Sequence, residues 1–313
     1  MPITLSAGRR IAAGLLGAAV AVTAAATPAA AAPAAATGPL SVTAQTLVLN
    51  PTSQGYEGTL TATVTNNGTT GDYPSVFLTE PAGGSFTTVD PGFGCVILGL
   101  VENRMQHSCA SVAIQPGETQ TWRLGFHVWT TPRKYAMSAT GGEFGVMSNG
   151  SSEMSDTVGF TTLFQSTNGS LKKPQPYVQA TRSDLSVTAG AVSLNRQADG
   201  SLQGRMPVTV RYGNDAPSFG VDLTAALPAG VVVDHTEPQD MPSGGDWFSV
   251  PGTRFMPGEQ RTFDVVLTAP AGTPAGALGT ASYTAAANYC YCAPVEDISP
   301  ADNTASFTVT AVG

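Results

Sequence analysis

Apolar and polar residues alternate along this chain with a period of two. Across residues 59–65, Leu60, Ala62 and Val64 take every second place and threonines take the others. A strand throws successive side chains to opposite faces, so this pattern predicts a strand with one face in a core and one in water. The turn residues Asn66-Asn67-Gly68 then end it. Later, Met206, Val208, Val210 and Tyr212 repeat the device and run into Gly213-Asn214-Asp215. After Pro116-Gly117-Glu118, the residues Trp122, Leu124, Phe126 and Val128 are predicted to point inward, while Arg123 and His127 point out. After Pro257-Gly258-Glu259, Phe263, Val265 and Leu267 do the same. No stretch holds a 3.6-residue apolar period long enough for an amphipathic helix. The expected fold class is all-β, made of short antiparallel strands and frequent turns.

The alternation recurs at long range. Leu40-Ser41-Val42-Thr43-Ala44 returns unchanged as Leu185-Ser186-Val187-Thr188-Ala189, and Leu49-Asn50 returns as Leu194-Asn195. Pro81-Ala82-Gly83 is matched by Pro228-Ala229-Gly230, and Pro116-Gly117-Glu118 by Pro257-Gly258-Glu259. Asp156-Thr157-Val158-Gly159-Phe160 resembles Asn303-Thr304-Ala305-Ser306-Phe307 near the end of each copy. Landmarks keep their order at an offset near 145 residues, as a tandem duplication requires. The expected organisation is one copy over residues 38–165, a linker over 166–182 and a second copy over 183–313. The linker carries Lys172-Lys173-Pro174-Gln175-Pro176 and reads as solvated and semi-extended. Units of about 130 residues with short alternating strands predict two antiparallel β-sandwiches of immunoglobulin type.

Composition narrows the class further. Only 12% of the 313 residues are charged, and the chain holds 35 Gly and 23 Pro. Helical bundles and coiled coils need charged exposed faces and few helix breakers, so both are excluded. The acidic balance of 22 Asp+Glu against 14 Lys+Arg argues against nucleic-acid phosphates as partners. A hydrophobic fraction of 42% is ample for a core.

Residues 1–32 read as a secretory signal peptide: Arg9 and Arg10, an apolar run from Ile11, then an alanine tract with cleavage expected after Ala30, Ala31 or Ala32. Its removal leaves 12 basic residues against an unchanged 22 acidic ones. No later segment is apolar enough to span a membrane. The expected location is outside the cell. The Ala/Gly/Thr/Pro-rich composition points to a high-GC Gram-positive, actinobacterial type of source. Four cysteines in an exported chain read as disulfides. Cys95 and Cys109 are the natural pair around a local loop. Cys290 and Cys292 stand one residue apart and are expected to form a tight bridge through a turn, with free thiols or cross-pairing to Cys95 and Cys109 as the alternatives.

Four features together resemble a known family. They are the strand and Asn-Asn-Gly turn over 59–68, Cys95 and Cys109 ahead of Ile114-Gln115-Pro116-Gly117-Glu118, Leu227-Pro228-Ala229-Gly230-Val231, and Pro300-Ala301-Asp302-Asn303-Thr304-Ala305. The chain is similar to the bacterial immunoglobulin-like surface repeat called domain of unknown function eleven, and to the related CARDB-type module. The resemblance implies spacers or binding units on exported proteins and brings no catalytic residues. Copy two lacks the cysteine pair, with Trp247 and Phe248 in the corresponding stretch, and copy one lacks the closing Asn-Thr-Ala.

Catalytic motifs are missing from the sequence. Ser170-Leu171-Lys172-Lys173 fits a Ser-x-x-Lys pattern without its companion motifs, and His107, His127 and His235 are scattered. Glu296, Asp297 and Asp302 could bracket a calcium ion, but a solvated loop explains them more simply. We therefore expect no catalytic residues, no metal and no cofactor. Recognition falls to aromatics expected to face outward: Trp129 near Tyr135, Trp247 in a loop after Gly244-Gly245-Asp246, and Tyr289 and Tyr291 beside the second cysteine pair. Trp122 is expected in the core. The expected function is a secreted, non-enzymatic, monomeric structural or interaction module with an extracellular protein or glycan partner. A polysaccharide-binding module using those aromatics is the alternative, and a secreted enzyme the third reading.

Overall fold

The computed structural model describes residues 38–313 apart from Phe93, Tyr291 and Cys292, so the expected signal peptide lies outside the described residues. The first half contributes β1 (Leu40–Ala44), β2 (Leu47–Thr52), β3 (Gly55–Asn66), β4 (Ser75–Thr79), β5 (Phe86–Asp90), β6 (Cys95–Val101), β7 (Arg104–Ala110), β8 (Thr119–Val128), β9 (Met137–Met147), β10 (Asp156–Phe164) and β11 (Gln175–Pro176). The second contributes β12 (Leu185–Ala189), β13 (Val192–Arg196), β14 (Leu202–Tyr212), β15 (Gly220–Ala226), β16 (Val232–Glu237), β17 (Ser243–Gly244), β18 (Trp247–Ser249), β19 (Glu259–Ala269), β20 (Gly276–Cys290), β21 (Ala293–Val295) and β22 (Thr304–Val312). A short 3-10 turn at Pro300–Asp302 is the one helical piece among the described residues. The fold is all-β.

Each half forms one eleven-stranded sheet. The first runs β5-β8-β3-β2-β10-β9-β4-β7-β6, with β1 on β3 and β11 on β9. The second runs β16-β19-β14-β13-β22-β20-β15-β18-β17, with β12 on β14 and β21 on β20. Strand for strand, the two main paths are the same. The pairing is not wholly antiparallel as the alternation suggested. β2 pairs antiparallel with β3 through Asn50, Pro51 and Thr52, and parallel with β10 through Leu47, Val48 and Leu49. β13 likewise joins β14 antiparallel and β22 parallel. This strand stitches two parts of the sheet together, which a period of two cannot reveal because it records faces and not neighbours. The close crossing has a sequence requirement. A Cβ on Gly58 would run into the Val48 carbonyl oxygen, and one on Gly204 into that of Ser193.

The predicted inward faces meet in two separate cores. Leu60, Ala62, Val64, Trp122, Leu124 and Phe126 pack with Val76, Leu78, Phe144, Val146 and Phe164 in the first. Met206, Val208, Val210, Phe263, Val265 and Leu267 pack with Leu223, Phe248, Tyr283 and Phe307 in the second. Each large side chain buried this way stabilises the fold by roughly 1.5–3 kcal/mol. The outward faces carry threonine pairs across strands: Thr43 with Thr63 at 2.7 Å, Thr65 with Thr119 at 2.9 Å and Thr209 with Thr262 at 2.8 Å. Such pairs support a ladder without charge, which is how a chain so poor in Lys and Glu covers its sheets.

The two Pro-Gly-Glu turns are built alike. Gly117 (φ 76°) and Gly258 (φ 81°) sit in the left-handed region after a proline, the demand of a type II turn. Glu118 N–H donates to the Gln115 carbonyl at 2.9 Å, and its carboxylate accepts the Gln115 N–H at 2.8 Å. Glu259 repeats this with Met256 at 3.0 and 2.7 Å. The glutamate in the motif is therefore the clasp of the turn.

The stretch expected to be a solvated linker is largely part of the fold. Ser166 is buried and exchanges backbone hydrogen bonds with Ser170 and Gly169. Gln175 and Pro176 pair with β9 as β11, and the Tyr177 ring lies 4.7 Å from that of Phe164. Residues 167–169 and 172–176 keep the expected exposure. Local turns and one sheet edge hold the backbone of this stretch, while most of its side chains stay in water.

Candidate functional site

The first sheet ends in a hairpin far longer than its counterpart, β17–β18, in the second. β6 and β7 pair from Cys95↔Cys109 to Val101↔Arg104, and the disulfide Cys95–Cys109 closes the base of the hairpin. The expected pair is thus present. Cys109 is fully buried and lies opposite Val76 on β4. In the second half Phe248 lies opposite Leu223 on β15 and is also fully buried. Val76 and Leu223 each stand five residues before the matched Pro81 and Pro228. One core position is therefore filled by a cystine in one half and by an aromatic ring in the other.

Behind the hairpin lies a buried acid that sequence reasoning missed. The Glu80 carboxylate is 1% exposed. It accepts N–H groups of Gly84 at 2.6 Å, Phe86 at 2.9 Å and Met105 at 3.2 Å, and Nε2 of the buried His107 lies 3.2 Å away. Four donors offset the cost of burying this group. The signal was available: the residue ahead of Pro81-Ala82-Gly83 is charged, whereas the one ahead of Pro228-Ala229-Gly230 is Leu227.

Polar contacts bind the two halves at two places. Asp215 accepts Thr130 Oγ1 at 2.8 Å, the Tyr177 hydroxyl at 2.9 Å and the Ala180 N–H at 3.1 Å. Burial, reinforced by the Asp215 charge, pushes the Tyr177 hydroxyl well above its ordinary pKa, so it stays a donor. Gln179 bonds both the N–H and the carbonyl of Gly83, at 2.7 and 3.1 Å. The Arg254 guanidinium donates to the Gly84 carbonyl and stacks 4.0 Å from the Phe219 ring centre. Tyr289 donates to the Asn103 carbonyl at 2.8 Å and packs on Met105. A cleft of about 380 Å³ opens beside the Asp215 contacts, lined by Arg133, Tyr135, Tyr177, Val178 and Asn214 among others.

The aromatics proposed from sequence are dispersed by this arrangement. Tyr289 is not an outward ring: it is 4% exposed, burial raises its pKa, and its hydroxyl ties the second half to the first. The ring is covered by the β6–β7 hairpin, through Asn103 and Met105. Trp247 opens β18 instead of lying in a loop, and it stays 43% exposed at the sheet edge. Trp129 is half-buried, stacked on His127 at 4.0 Å, and His127 in turn donates to the Gln54 carbonyl at 2.7 Å. Tyr135, in the junction cleft, is exposed. Tyr291, Cys292 and the Cys290 side chain lie outside the described residues, so the second cysteine pairing is not addressed.

The acidic loop is a brace. Asp297 accepts Ser183 Oγ at 2.9 Å and the N–H groups of Leu185 at 2.8 Å and Ser299 at 2.7 Å. Glu296 faces out towards Arg182, at 3.8 Å. Among the described residues no group of three or more His, Cys, Asp or Glu is placed to hold a metal ion, and no helix is long and apolar enough to cross a membrane.

No protein-family model and no curated protein matches the chain. Among solved structures it is similar to a protein of unknown function from Porphyromonas gingivalis W83, at 11% identity over 88% of this chain and 99% of that one, with a TM-score of 0.23. A red sea bream transglutaminase is similar at 10% identity over 88% of this chain and 31% of its own, with a TM-score of 0.23. The N-terminal domain of PorA is similar at 13% identity over 42% of this chain and 98% of that one, with a TM-score of 0.27. Scores this low carry no argument about activity.

Proposed function

We propose that the chain is an exported, non-enzymatic module of two tandem immunoglobulin-like sandwiches, of the domain-of-unknown-function-eleven or CARDB type, acting outside the cell as a structural or binding unit. The observation that carries this reading is the identical strand order of the two sheets, each with its own core. A duplicated unit braced through Asp215, Gln179 and Tyr289 holds a fixed spacing between whatever its two halves contact. The Cys95–Cys109 disulfide suits an oxidising compartment. Expression of the full chain in a secreting bacterial host tests the proposal. A processed chain in the medium beginning after Ala30, Ala31 or Ala32 is expected, inert in screens on peptidoglycan, esters and peptides. An unprocessed cytosolic chain, or turnover in those screens, overturns it.

A second reading, polysaccharide binding, is favoured by the junction cleft and by the exposed Trp247 at a sheet edge. Exposed rings stack on sugar faces. Retention on insoluble glycans that falls at least tenfold in Tyr135→Ala or Trp247→Ala supports this reading. No retention of the parent protein ends it.

A further inference from the structure

Positive charge is distributed unevenly along this chain. Its three lysines, Lys134, Lys172 and Lys173, fall with Arg133 in the segments that lead into β9 and β11. The Thr167 N–H donates to the Arg133 carbonyl at 2.8 Å, and the Gln175 N–H to the Ala136 carbonyl at 2.9 Å. These bonds bracket residues 133–136 against residues 167–175, so the two basic pairs share one surface. All four residues are exposed, and none of their side chains makes an ion pair or a hydrogen bond among the described residues. Elsewhere in the described chain five arginines are ion-paired, and Arg196 and Arg254 donate to carbonyls. Arg123 stands across from Asp90 on the neighbouring strand.

Nothing in the fold requires these four cations. The segment joining β19 to β20, residues 270–275, is the counterpart of the one joining β8 to β9, and it holds neither a charge nor an aromatic ring. Lys173 even occupies the left-handed region (φ 50°), where glycine or asparagine is the ordinary residue. The patch adjoins the junction cleft of about 380 Å³, a volume within the range of ligand sites. Arg133 and Tyr135 line that cleft and flank Lys134 in sequence, and Pro176 lines it three residues after Lys173. Tyr135 is 45% exposed and Val178 83%, which gives the cleft an apolar wall. The acid that lines it, Asp215, already has both carboxylate oxygens engaged by Thr130, Tyr177 and Ala180.

We propose that this surface binds an anionic polysaccharide, with Tyr135 against a sugar ring in the cleft and Arg133 and the three lysines on carboxylate or phosphate groups along the polymer. This ligand class rests on the polysaccharide-binding reading and narrows it. Charge selects an anion, because a guanidinium fork and unpaired ammonium groups suit carboxylate and phosphate oxygens. Extent selects a polymer: the lysines do not line the cleft, so a single sugar held there does not reach them all. The ring selects a sugar, whose apolar face stacks on an exposed aromatic. An acidic peptide instead adds to a strand edge, and β11 offers two residues, one of them Pro176 without an N–H. The acidic remainder of the surface is screened beyond roughly 8 Å at physiological salt, so it confines the ligand to this patch without abolishing binding.

Calorimetric titration of the full chain with polygalacturonate, phosphomannan, neutral dextran and poly-L-glutamate tests the proposal. Binding of polygalacturonate or phosphomannan is expected, the first reporting a carboxylate ligand and the second a phosphate ligand. Raising the salt from about 0.05 to about 0.5 M should weaken it ~10-fold or more. Lys172→Glu and Lys134→Glu should each weaken it ~10-fold or more, whereas Arg123→Glu, the same charge change away from the patch, should leave it within ~2-fold. Circular dichroism establishes that each variant is folded, and either lysine variant suffices if the other is not. Dextran bound as tightly as the acidic glycans, with no loss in the lysine variants, overturns the proposal and leaves the broader polysaccharide reading standing. Poly-L-glutamate bound as tightly as the acidic glycans overturns it in favour of an acidic peptide. No binding of any glycan overturns it together with the polysaccharide reading.

Discussion

The β6–β7 hairpin and the β17–β18 hairpin occupy the same edge of two sheets with the same strand order, and they solve the same packing problem by different chemistry. Where the first places Cys109 against Val76, the second places Phe248 against Leu223. A cystine fills less space than a phenylalanine but adds a covalent staple, and the hairpin it staples extends to Val101 and Arg104. A phenylalanine fills the core by itself, and its hairpin is reduced to two short strands. Long apolar hairpins need an anchor. Where the anchor is a ring, the strands are short and Trp247 is the large apolar side chain left exposed on them.

This contrast makes quantitative predictions. Phe248→Ala is expected to cost the most, ~3–5 kcal/mol, through lost transfer energy and the cavity left behind. Urea unfolding followed by circular dichroism measures it, and hydrogen exchange should show the loss concentrated in the second half. The double variant Cys95→Ala/Cys109→Ala should cost ~3 kcal/mol by releasing a loop that the disulfide closes across 14 residues. If it costs nothing, cystine and ring are not equivalent anchors.

Glu80→Ala comes next. It strands three buried N–H groups and His107, and ~2–3 kcal/mol is expected. Glu80→Leu, which copies Leu227, leaves the same donors unsatisfied and should not restore stability. Asp215→Ala should cost ~1–2 kcal/mol, with the two halves beginning to unfold in separate transitions by calorimetry.

The smallest effect is electrostatic. Burial opposes ionisation of Glu259, but Arg261 Nε at 2.6 Å and the Met256 N–H outweigh it and hold the carboxyl below its ordinary value. A carboxyl lowered in the folded state stabilises above the unfolded pKa, roughly 4.3. That contribution fades as pH falls through the lower folded value. Glu259→Gln should therefore cost ~0.5–1 kcal/mol at neutral pH, and the gap between variant and parent should close on acidification.

Much of this was legible beforehand. The threonine-backed strand over 59–65, the inward set from Trp122 to Val128 and the clasped Pro-Gly-Glu turns follow from local rules about faces and turns. The Cys95–Cys109 pair followed from their isolation around one loop. The candidate site was less legible. Tyr289 was expected to face outward, and what covers it, the hairpin turn at Asn103, lies 186 residues away in the chain. Glu80 drew no reading from sequence, because its donors come from Gly84, Phe86 and Met105, which carry no motif. The exposed edge strand β6 was written plainly in Cys-Val-Ile-Leu-Gly-Leu-Val, yet an apolar run reads equally well as a buried strand.

By itself the sequence determined the all-β class, the inward faces, the turns and the correspondence between the two halves. All of these depend on steric and solvation preferences acting over a few residues, or on direct comparison of one segment with another. Only the tertiary structure decided which face was covered by which strand, which strand ended each sheet, and where the halves touched. Those are properties of strand neighbours far apart in the chain, and a period of two is silent about neighbours.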